Sequence, residues 1–243
     1  LKMNNFEKQN ISICLPIFNE AKSINFVIDE WVNLMNKLSL DYKIICSEDG
    51  STDGTKEILK EITKKNPNII NNSSDKKRGY TKAVISGIEK AETNFVLCID
   101  SDGQCDPSDF KNFWKKKADL KKDYFLIGNR VDRKDGFFRS IISKSFKIYH
   151  KILFKNDLSD PSCPYVLFKK KNFGLIKNKL HYMQEGFWWG FIACCLLNKI
   201  KILEIEINHR KRIDGDTNVY KVNKLPMIAI RNAIGLLKLR FKS

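Results

Sequence analysis

The run Phe95-Val96-Leu97-Cys98-Ile99 ends abruptly at Asp100-Ser101-Asp102-Gly103-Gln104, and this junction constrains the chain more than any other feature. A short apolar run containing Val and Ile reads as a buried strand. In an open α/β sheet, ligands gather where the strands end. Two carboxylates two residues apart, with an amide at Gln104, make an oxygen-rich half-site for a hard divalent cation such as Mg²⁺. Such a cation keeps few protein carboxylates and completes its shell from water and substrate phosphates. The pattern therefore points to a metal bound together with a diphosphate. The plainer alternative is an Asp-rich turn that bonds its own backbone. A calcium EF-hand is excluded, because counting from Asp100 the sixth position is Cys105 and the twelfth Lys111, where Gly and Glu are required.

Upstream of that junction, apolar runs alternate with helical periodicity. Ile11 to Leu15 reads as a strand, and Ile24, Val27, Ile28, Trp31, Leu34, Met35 and Leu38 then fall on one helix face. Tyr42 to Cys46, Ile69-Ile70 and Phe95 to Ile99 read as further strands, with helices at Thr55 to Lys64 and Tyr80 to Lys90. Alternation of this kind predicts a Rossmann-like, mostly parallel α/β sheet flanked by helices. Past about residue 135 the pattern changes. Phe137 to Phe154 places Phe138, Ile141, Ile142, Ser145, Tyr149, Ile152 and Leu153 on one side, with Arg139, Lys144, Lys147 and Lys151 largely elsewhere. Leu225 to Phe241 is a second segment of this type, with Arg231, Lys238, Arg240 and Lys242. Basic amphipathic helices either lie in a membrane interface or pack on their own domain; the sequence leaves both open.

The chain has 243 residues, suited to one domain with a substantial core. Its 44 basic and 28 acidic residues give a formal charge of +16, which favours an anionic partner: nucleic acid, an anionic membrane surface or a phosphorylated substrate. No zinc-finger, helix-turn-helix or RNA-recognition motif occurs, so nucleic acid is not expected, and a non-catalytic membrane- or nucleic-acid-binding protein is the weaker class. The seven cysteines form no C-x-x-C pair and sit in apolar runs, as expected of reduced core thiols in a cytoplasmic protein. Leu1 to Asn10 is polar, unlike a signal peptide. No apolar run approaches the ~20 residues that span a bilayer, so a peripheral or soluble protein is expected.

Two further segments close predicted strands. Leu15-Pro16-Ile17-Phe18-Asn19-Glu20 follows the first, where Pro16 is expected to stop ladder pairing and turn Phe18 and Glu20 over the sheet edge. Glu48-Asp49-Gly50-Ser51-Thr52-Asp53-Gly54-Thr55 follows the second. There Asp49 can accept from a base N–H, while Asp53 or Thr52 can cap the next helix. Lys76-Lys77-Arg78-Gly79 is either a solvated turn or a place from which Arg78 reaches a donor phosphate.

In this order, P-x-F-N-E, x-D-G-S-T-D-G-T and D-x-D-G-Q resemble the inverting family 2 glycosyltransferases with the GT-A fold. Gly128-Asn129-Arg130 with Arg133 is similar to the G-S-R-x-x-R segment of the polyprenyl-phosphate sugar transferases. His209-Arg210-Lys211-Arg212 with Gly215, Asp216 and Thr217 is similar to their late H-R-x-R-x-x-G-x-S/T segment. The resemblance implies one catalytic domain over 1–243. Residues 11–105 would bind a UDP- or GDP-linked sugar, residues 106–220 the acceptor, and 221–243 would form a C-terminal amphipathic segment. It implies that Pro16, Phe18, Glu20 and Asp49 line the nucleoside pocket, with Asp53 and Arg78 beside it. Asp100, Asp102 and Gln104 would hold Mg²⁺ or Mn²⁺, Arg130 and Arg133 an acceptor phosphate, and Arg212 and Thr217 the donor phosphates.

A polyprenyl phosphate (dolichyl or undecaprenyl) is already ionised and needs no general base; a saccharide hydroxyl does. Glu185, in Gln184-Glu185-Gly186-Phe187-Trp188-Trp189, is the candidate base for that second case, or else a solvated or capping residue. One departure bears on the acceptor side. Asp160-Pro161-Ser162-Cys163-Pro164-Tyr165 carries Pro164 where the relatives have Gly, and Leu167 near where they have Arg. His150 and His181 are expected at the surface, and His209 in a loop near the phosphates.

Overall fold

Strand β1 (Asn10–Ile17) lies inside a sheet whose order is β3-β2-β1-β4-β6-β5-β7, in a computed structural model that describes residues 10–116, 124–131, 137–213 and 225–242. Around it run α1 (Ile24–Lys37), β2 (Asp41–Glu48), α2 (Thr55–Lys65), β3 (Ile69–Asn71), α3 (Tyr80–Lys90) and β4 (Phe95–Cys98). The later elements are α4 (Phe110–Lys116), β5 (Phe125–Val131), α5 (Phe137–Phe154), β6 (Val166–Lys169), α6 (Phe187–Leu197), β7 (Ile202–Asn208) and α7 (Leu225–Phe241). Strands β3, β2, β1 and β4 are parallel, as the alternation predicts; β6 enters antiparallel to both β4 and β5, and β7 runs parallel to β5.

The sheet is covered on both faces, so its strands are apolar on both sides. Ile11, Ile13 and Leu15 of β1, Ile44 and Cys46 of β2, and Leu97 of β4 point to a layer that contains Trp31, Phe110 and Phe113. The alternate residues Cys14, Ile45, Val96 and Cys98 join Val84, Ile88, Phe191 and Leu236 on the opposite side. All seven cysteines are buried and free, matching the expectation of core thiols.

Two expectations are corrected here. Strand β1 does not stop at Pro16: it continues to Ile17, pairing Pro16 with Ser47 and Ile17 with Glu48 of β2. Residues of a parallel strand direct N–H and C=O alternately to either neighbour. The Pro16 carbonyl faces the β4 side, where it accepts from Ser101 Oγ at 2.8 Å, so its missing N–H leaves the β2 ladder intact. The second correction is His150, which is 0% exposed. It lies on the inner face of α5 with Phe154, against Trp189, while Ile141, Ile148 and Ile152 of the same helix face solvent. Its Nε2 lies 3.2 Å from the Trp189 carbonyl, which can only accept, so this nitrogen carries the proton; Nδ1 accepts from Asn156.

Burial lowers the His150 pKa to about 4, against a weaker opposing pull from the Trp189 carbonyl. The unfolded chain therefore binds this proton from near pH 6.5 while the folded chain excludes it down to about pH 4. Above that window His150 makes stability no more pH-dependent. Across it, stability falls with falling pH by up to about 3 kcal/mol, then levels off. In urea titrations the stability gap between wild type and His150→Gln should shrink across this window; a constant gap would mean that the imidazole titrates normally.

Candidate active site

The parallel strands β1, β2 and β4 end at one edge of the sheet, and the segments that leave them are tied to one another. Asn19, held at φ 55, donates its N–H to Ser51 Oγ at 2.9 Å and accepts from the Thr52 N–H at 2.9 Å. Glu20 N–H donates to Thr55 Oγ1 at 3.0 Å, and Ala21 N–H to Asp53 Oδ2 at 3.0 Å. Asp53 Oδ1 accepts from the Thr55 N–H and hydroxyl. Burial acts to raise the Asp53 pKa, but the hydrogen bonds from Thr55 and Ala21 outweigh it and lower the value. Asp53, one residue before the Gly54 N-cap of α2, thus holds the first residue of that helix and clamps the first loop.

Asp49 is buried, and its two oxygens accept the N–H groups of Arg78 at 2.7 Å and Gly79 at 2.9 Å. Its carboxylate thereby fixes the turn that starts α3, and the Arg78 Nε lies 3.8 Å away. Gly50 permits the approach: a Cβ there, at φ +75, would stand 2.5 Å from the Lys77 nitrogen. Lys77 Nζ sits 3.6 Å from the centre of the Phe18 ring. Phe18, Asp49, Arg78 and Lys77 thus border one recess beyond the β1 and β2 ends. Beneath it Glu48, 0% exposed, accepts the Ser51 N–H through Oε1, while Oε2 has no hydrogen-bond partner and stands 4.0 Å from Lys56 Nζ.

Asp100 and Asp102 follow β4. Asp102 Oδ1 accepts the Gln104 N–H at 3.0 Å, the backbone bond that the turn alternative expects, and this leaves Oδ2 outside that bond. Asp100 Oδ1 accepts the Tyr80 hydroxyl at 2.6 Å, and the Tyr80 oxygen accepts Trp188 Nε1–H at 2.8 Å. Burial and then the charge of Asp102 raise the Asp100 pKa to about 7. Burial and the Asp100 charge likewise hold the Tyr80 hydroxyl well above its ordinary pKa, so it remains a donor.

The late segment closes over this pair. Arg210 N–H donates to the Gln104 carbonyl at 3.1 Å, Ile213 N–H to the Asp102 carbonyl at 3.3 Å, and Gln104 Nε2 to the Arg210 carbonyl at 3.3 Å. His209 bridges to Cys105 through the backbone, as a loop residue beside the site. Arg210 forks onto both oxygens of Glu30 at 2.9 Å. Arg212 pairs with Glu20 and brings Nη1 to 3.8 Å from Asp102 Oδ2. Glu20 is thereby linked through Arg212 to Asp102. Its pKa is raised by burial, against the lowering pull of Ser23 and Arg212.

The donor set suits a hard cation. It offers two carboxylates that disfavour each other's charge, and the Oε1 of Gln104, whose Nε2 is already committed. Among the described residues no group of three or more His, Cys, Asp or Glu could hold a metal ion by itself, so a cation here would need water and substrate oxygens to complete its shell.

Beyond the carboxylate pair, Arg130 of β5 is committed to a carboxylate. Its Nε meets Asp160 Oδ2 at 2.6 Å, and Nη2 meets Asp160 Oδ1 and Ser162 Oγ at 2.9 Å each. Asp160 in turn is positioned by Glu204, whose Oε1 accepts the N–H groups of Ser159 and Asp160. Leu167, near the position where relatives carry Arg, is core and pairs with Leu97. Glu185 directly precedes α6; its Oε2 is sheltered and has no hydrogen-bond partner. The preceding Met183 and Gln184 carbonyls accept the Thr81 hydroxyl, which fastens this segment to α3. Arg133 and Thr217 lie outside the described residues. Sequence reading missed Tyr80, Asp160 and the Arg210–Glu30 fork as site-builders. Their partners are far away in the chain, and no local pattern announces them.

Known proteins match this arrangement. The sequence profile of the family described as glycosyl transferase family 2 matches residues 12–188. An undecaprenyl-phosphate 4-deoxy-4-formamido-L-arabinose transferase from Proteus mirabilis is 24% identical over 218 residues, covering 88% of this chain and 64% of its own length. The chain thus spans somewhat under two thirds of that relative. A dolichyl-phosphate beta-glucosyltransferase from Dictyostelium discoideum is 23% identical, covering 95% of this chain and 77% of the relative. Among solved structures, mannosyl-3-phosphoglycerate synthase from Rubrobacter xylanophilus aligns with TM-score 0.70 and 14% identity over 96% of this chain and 75% of that one. Glucosyl-3-phosphoglycerate synthase from Mycobacterium tuberculosis, in complex with Mn²⁺ and UDP-glucose, aligns with TM-score 0.66 and 16% identity over 96% and 79%. The fold is GT-A. With the profile running from β1 through the carboxylate pair to Trp188, well over half the chain, the protein belongs to glycosyl transferase family 2.

Proposed function

We propose that the chain is a metal-dependent inverting glycosyltransferase that moves a hexose from a UDP- or GDP-sugar to a polyprenyl phosphate at a membrane surface. The observation that carries this reading is the Asp100–Asp102 pair, set beside the Asp49 turn on one sheet edge, in a chain whose relatives are named for polyprenyl-phosphate acceptors. Asp100, Asp102 and Gln104 would hold Mg²⁺ or Mn²⁺. The bound ion would offset charge gathering on the departing nucleoside diphosphate, a contribution of several kcal/mol. Phe18 and the Asp49 turn would hold the nucleoside. Arg212, already within reach of Asp102, and Arg78 would supply guanidinium contacts to the diphosphate. Arg130 and Arg133 would serve the acceptor phosphate, with Asp160 keeping the Arg130 fork in plane. An ionised phosphate acceptor leaves positioning and electrostatics as the main work of the site.

The test is nucleoside diphosphate release from a panel of UDP- and GDP-sugars, with Mg²⁺ or Mn²⁺, with and without a polyprenyl phosphate. Release should require metal and lipid phosphate, and Asp102→Asn should lower it by on the order of a hundred-fold or more. Folded protein that binds no donor in the presence of metal would sink the reading.

The unpartnered Glu185 Oε2 favours one alternative, transfer to a hydroxyl of a lipid-linked or cell-surface saccharide with Glu185 as the base. Glu185→Gln separates the two. Turnover unchanged within about two-fold fits a phosphate acceptor, whereas a loss of about a hundred-fold or more fits a hydroxyl acceptor.

The membrane part of the proposal rests on α7. Met227, Ile230, Ile234, Leu237 and Phe241 form one solvent-facing stripe, with Ile230 61% and Phe241 74% exposed. Neither α7 nor the adjoining α5 contains an acidic residue, while Lys144, Lys147, Lys151, Arg231, Lys238 and Arg240 are basic. Tyr149 joins the two helices through the Ala233 carbonyl at 3.1 Å. Two copies of such a stripe would oppose like charges, so charge complementarity favours an anionic bilayer. No helix among the described residues is long and apolar enough to cross a membrane. In co-sedimentation the protein should bind vesicles of mixed phosphatidylcholine and phosphatidylglycerol, bind pure phosphatidylcholine weakly, and lose most binding in Ile230→Glu/Ile234→Glu. Equal binding of that variant would remove α7 from the interface.

A further inference from the structure

The Tyr80 hydroxyl lies between two groups that leave it one arrangement. Trp188 Nε1–H can only donate, at 2.8 Å, so it occupies a lone pair of the phenolic oxygen. The single Tyr80 hydrogen is then directed to Asp100 Oδ1 at 2.6 Å. Tyr80 opens α3 directly after Gly79, whose N–H is held by Asp49. Trp188 belongs to the first turn of α6, three residues after Glu185. The ring of Tyr80 meets Phe187 edge-on at 6.4 Å, and Thr81 is bonded to the Met183 and Gln184 carbonyls. The nucleoside-side turn, the carboxylate pair and the start of α6, two residues after Glu185, are therefore joined at one side chain.

Resting on the metal-site reading above, we infer that Tyr80 and Trp188 are positioning residues: they occupy one oxygen of Asp100 so that the other is presented to the divalent cation, and they couple occupancy of the cation site to the start of α6. The hydroxyl fixes the rotation of the Asp100 carboxylate, which neither the β4 backbone nor Asp102 does. Partners of this kind orient metal ligands, and their loss typically weakens metal binding about 10–100-fold. Trp188 acts one bond further out, by preventing the hydroxyl from rotating away. Its effect should be smaller than that of Tyr80 and should not add to it.

The test measures Mn²⁺ binding by the electron paramagnetic resonance of free Mn²⁺, with saturating UDP and separately GDP. Wild type, Asp102→Asn, Tyr80→Phe, Trp188→Phe and the double variant are compared, with urea midpoints alongside. Tyr80→Phe should weaken Mn²⁺ binding by ~10-fold or more at an unchanged midpoint, Trp188→Phe by a few-fold, and the pair no more than Tyr80→Phe alone. In parallel, Mg²⁺ with nucleotide should shift the indole N–H resonance that is missing from Trp188→Phe, and this shift should vanish in Tyr80→Phe. Should Tyr80→Phe not fold, the affinity loss in Trp188→Phe and the wild-type indole shift decide the matter. Wild-type affinity in both single variants, with Asp102→Asn impaired, would overturn the inference and leave the metal site standing. Absence of Mn²⁺ binding by wild type, or binding indifferent to Asp102→Asn, would overturn the metal site and the inference together.

Discussion

Two carboxylates pressed together at the end of a buried strand set the terms for the rest of this structure. Asp100 and Asp102 disfavour each other's charge, and burial compounds the cost, as the rise of the Asp100 pKa to about 7 records. Glu20 brings a third acidic group into the same space. The fold answers with Arg212, which pairs with Glu20 and approaches Asp102, and with the Tyr80 hydroxyl on Asp100. These contacts reduce the repulsion, with Arg212 Nη1 standing 3.8 Å from Asp102 Oδ2. A surplus of negative charge persisting in a sheltered pocket is the physical basis for expecting a cation there.

The surrounding scaffold explains how such a cluster is tolerated. Strands β1, β2 and β4 are buried on both faces and locked in parallel register, so the loops they project have fixed origins. The first two loops are then cross-tied by Asn19, Ser51, Asp53 and Thr55. Electrostatic strain at one edge is balanced by packing elsewhere, and the edge remains rigid enough to orient what binds to it.

What the sequence revealed follows the range of the interactions. The order of the first four strands and three helices and the carboxylate spacing are local, and the structure has them where the pattern put them. The antiparallel β6 was invisible, because Val166 to Lys169 is too short and too apolar to declare its direction. His150 was misread because helical periodicity identifies an apolar side but not which part of it a neighbour covers. Here α6 and α7 cover Phe146, Tyr149 and Leu153, while Ile148 and Ile152 stay in solvent. Tyr80 and Trp188 are 108 residues apart, and nothing at either position signals the other. Asp49 is a mixed case: its place in the site was legible, but its engagement with two backbone amides was not.

The two sides of the site are held by partly different means. On the side of β1 and β2, side chains hold backbone amides: Asp49 grips the amides of Arg78 and Gly79, Ser51 that of Asn19, and Asp53 those of Ala21 and Thr55. Such contacts fix the path of the chain, so a substitution there displaces a whole turn. Beyond β5 both kinds of contact occur: the Arg130 side chain forks onto Asp160 and Ser162, while Glu204 holds the backbone amides of Ser159 and Asp160. The edge beyond β1 and β2 is thus fixed chiefly through backbone amides, whereas the Arg130 fork adds a side-chain lock to the amide grip that Glu204 keeps on the same segment.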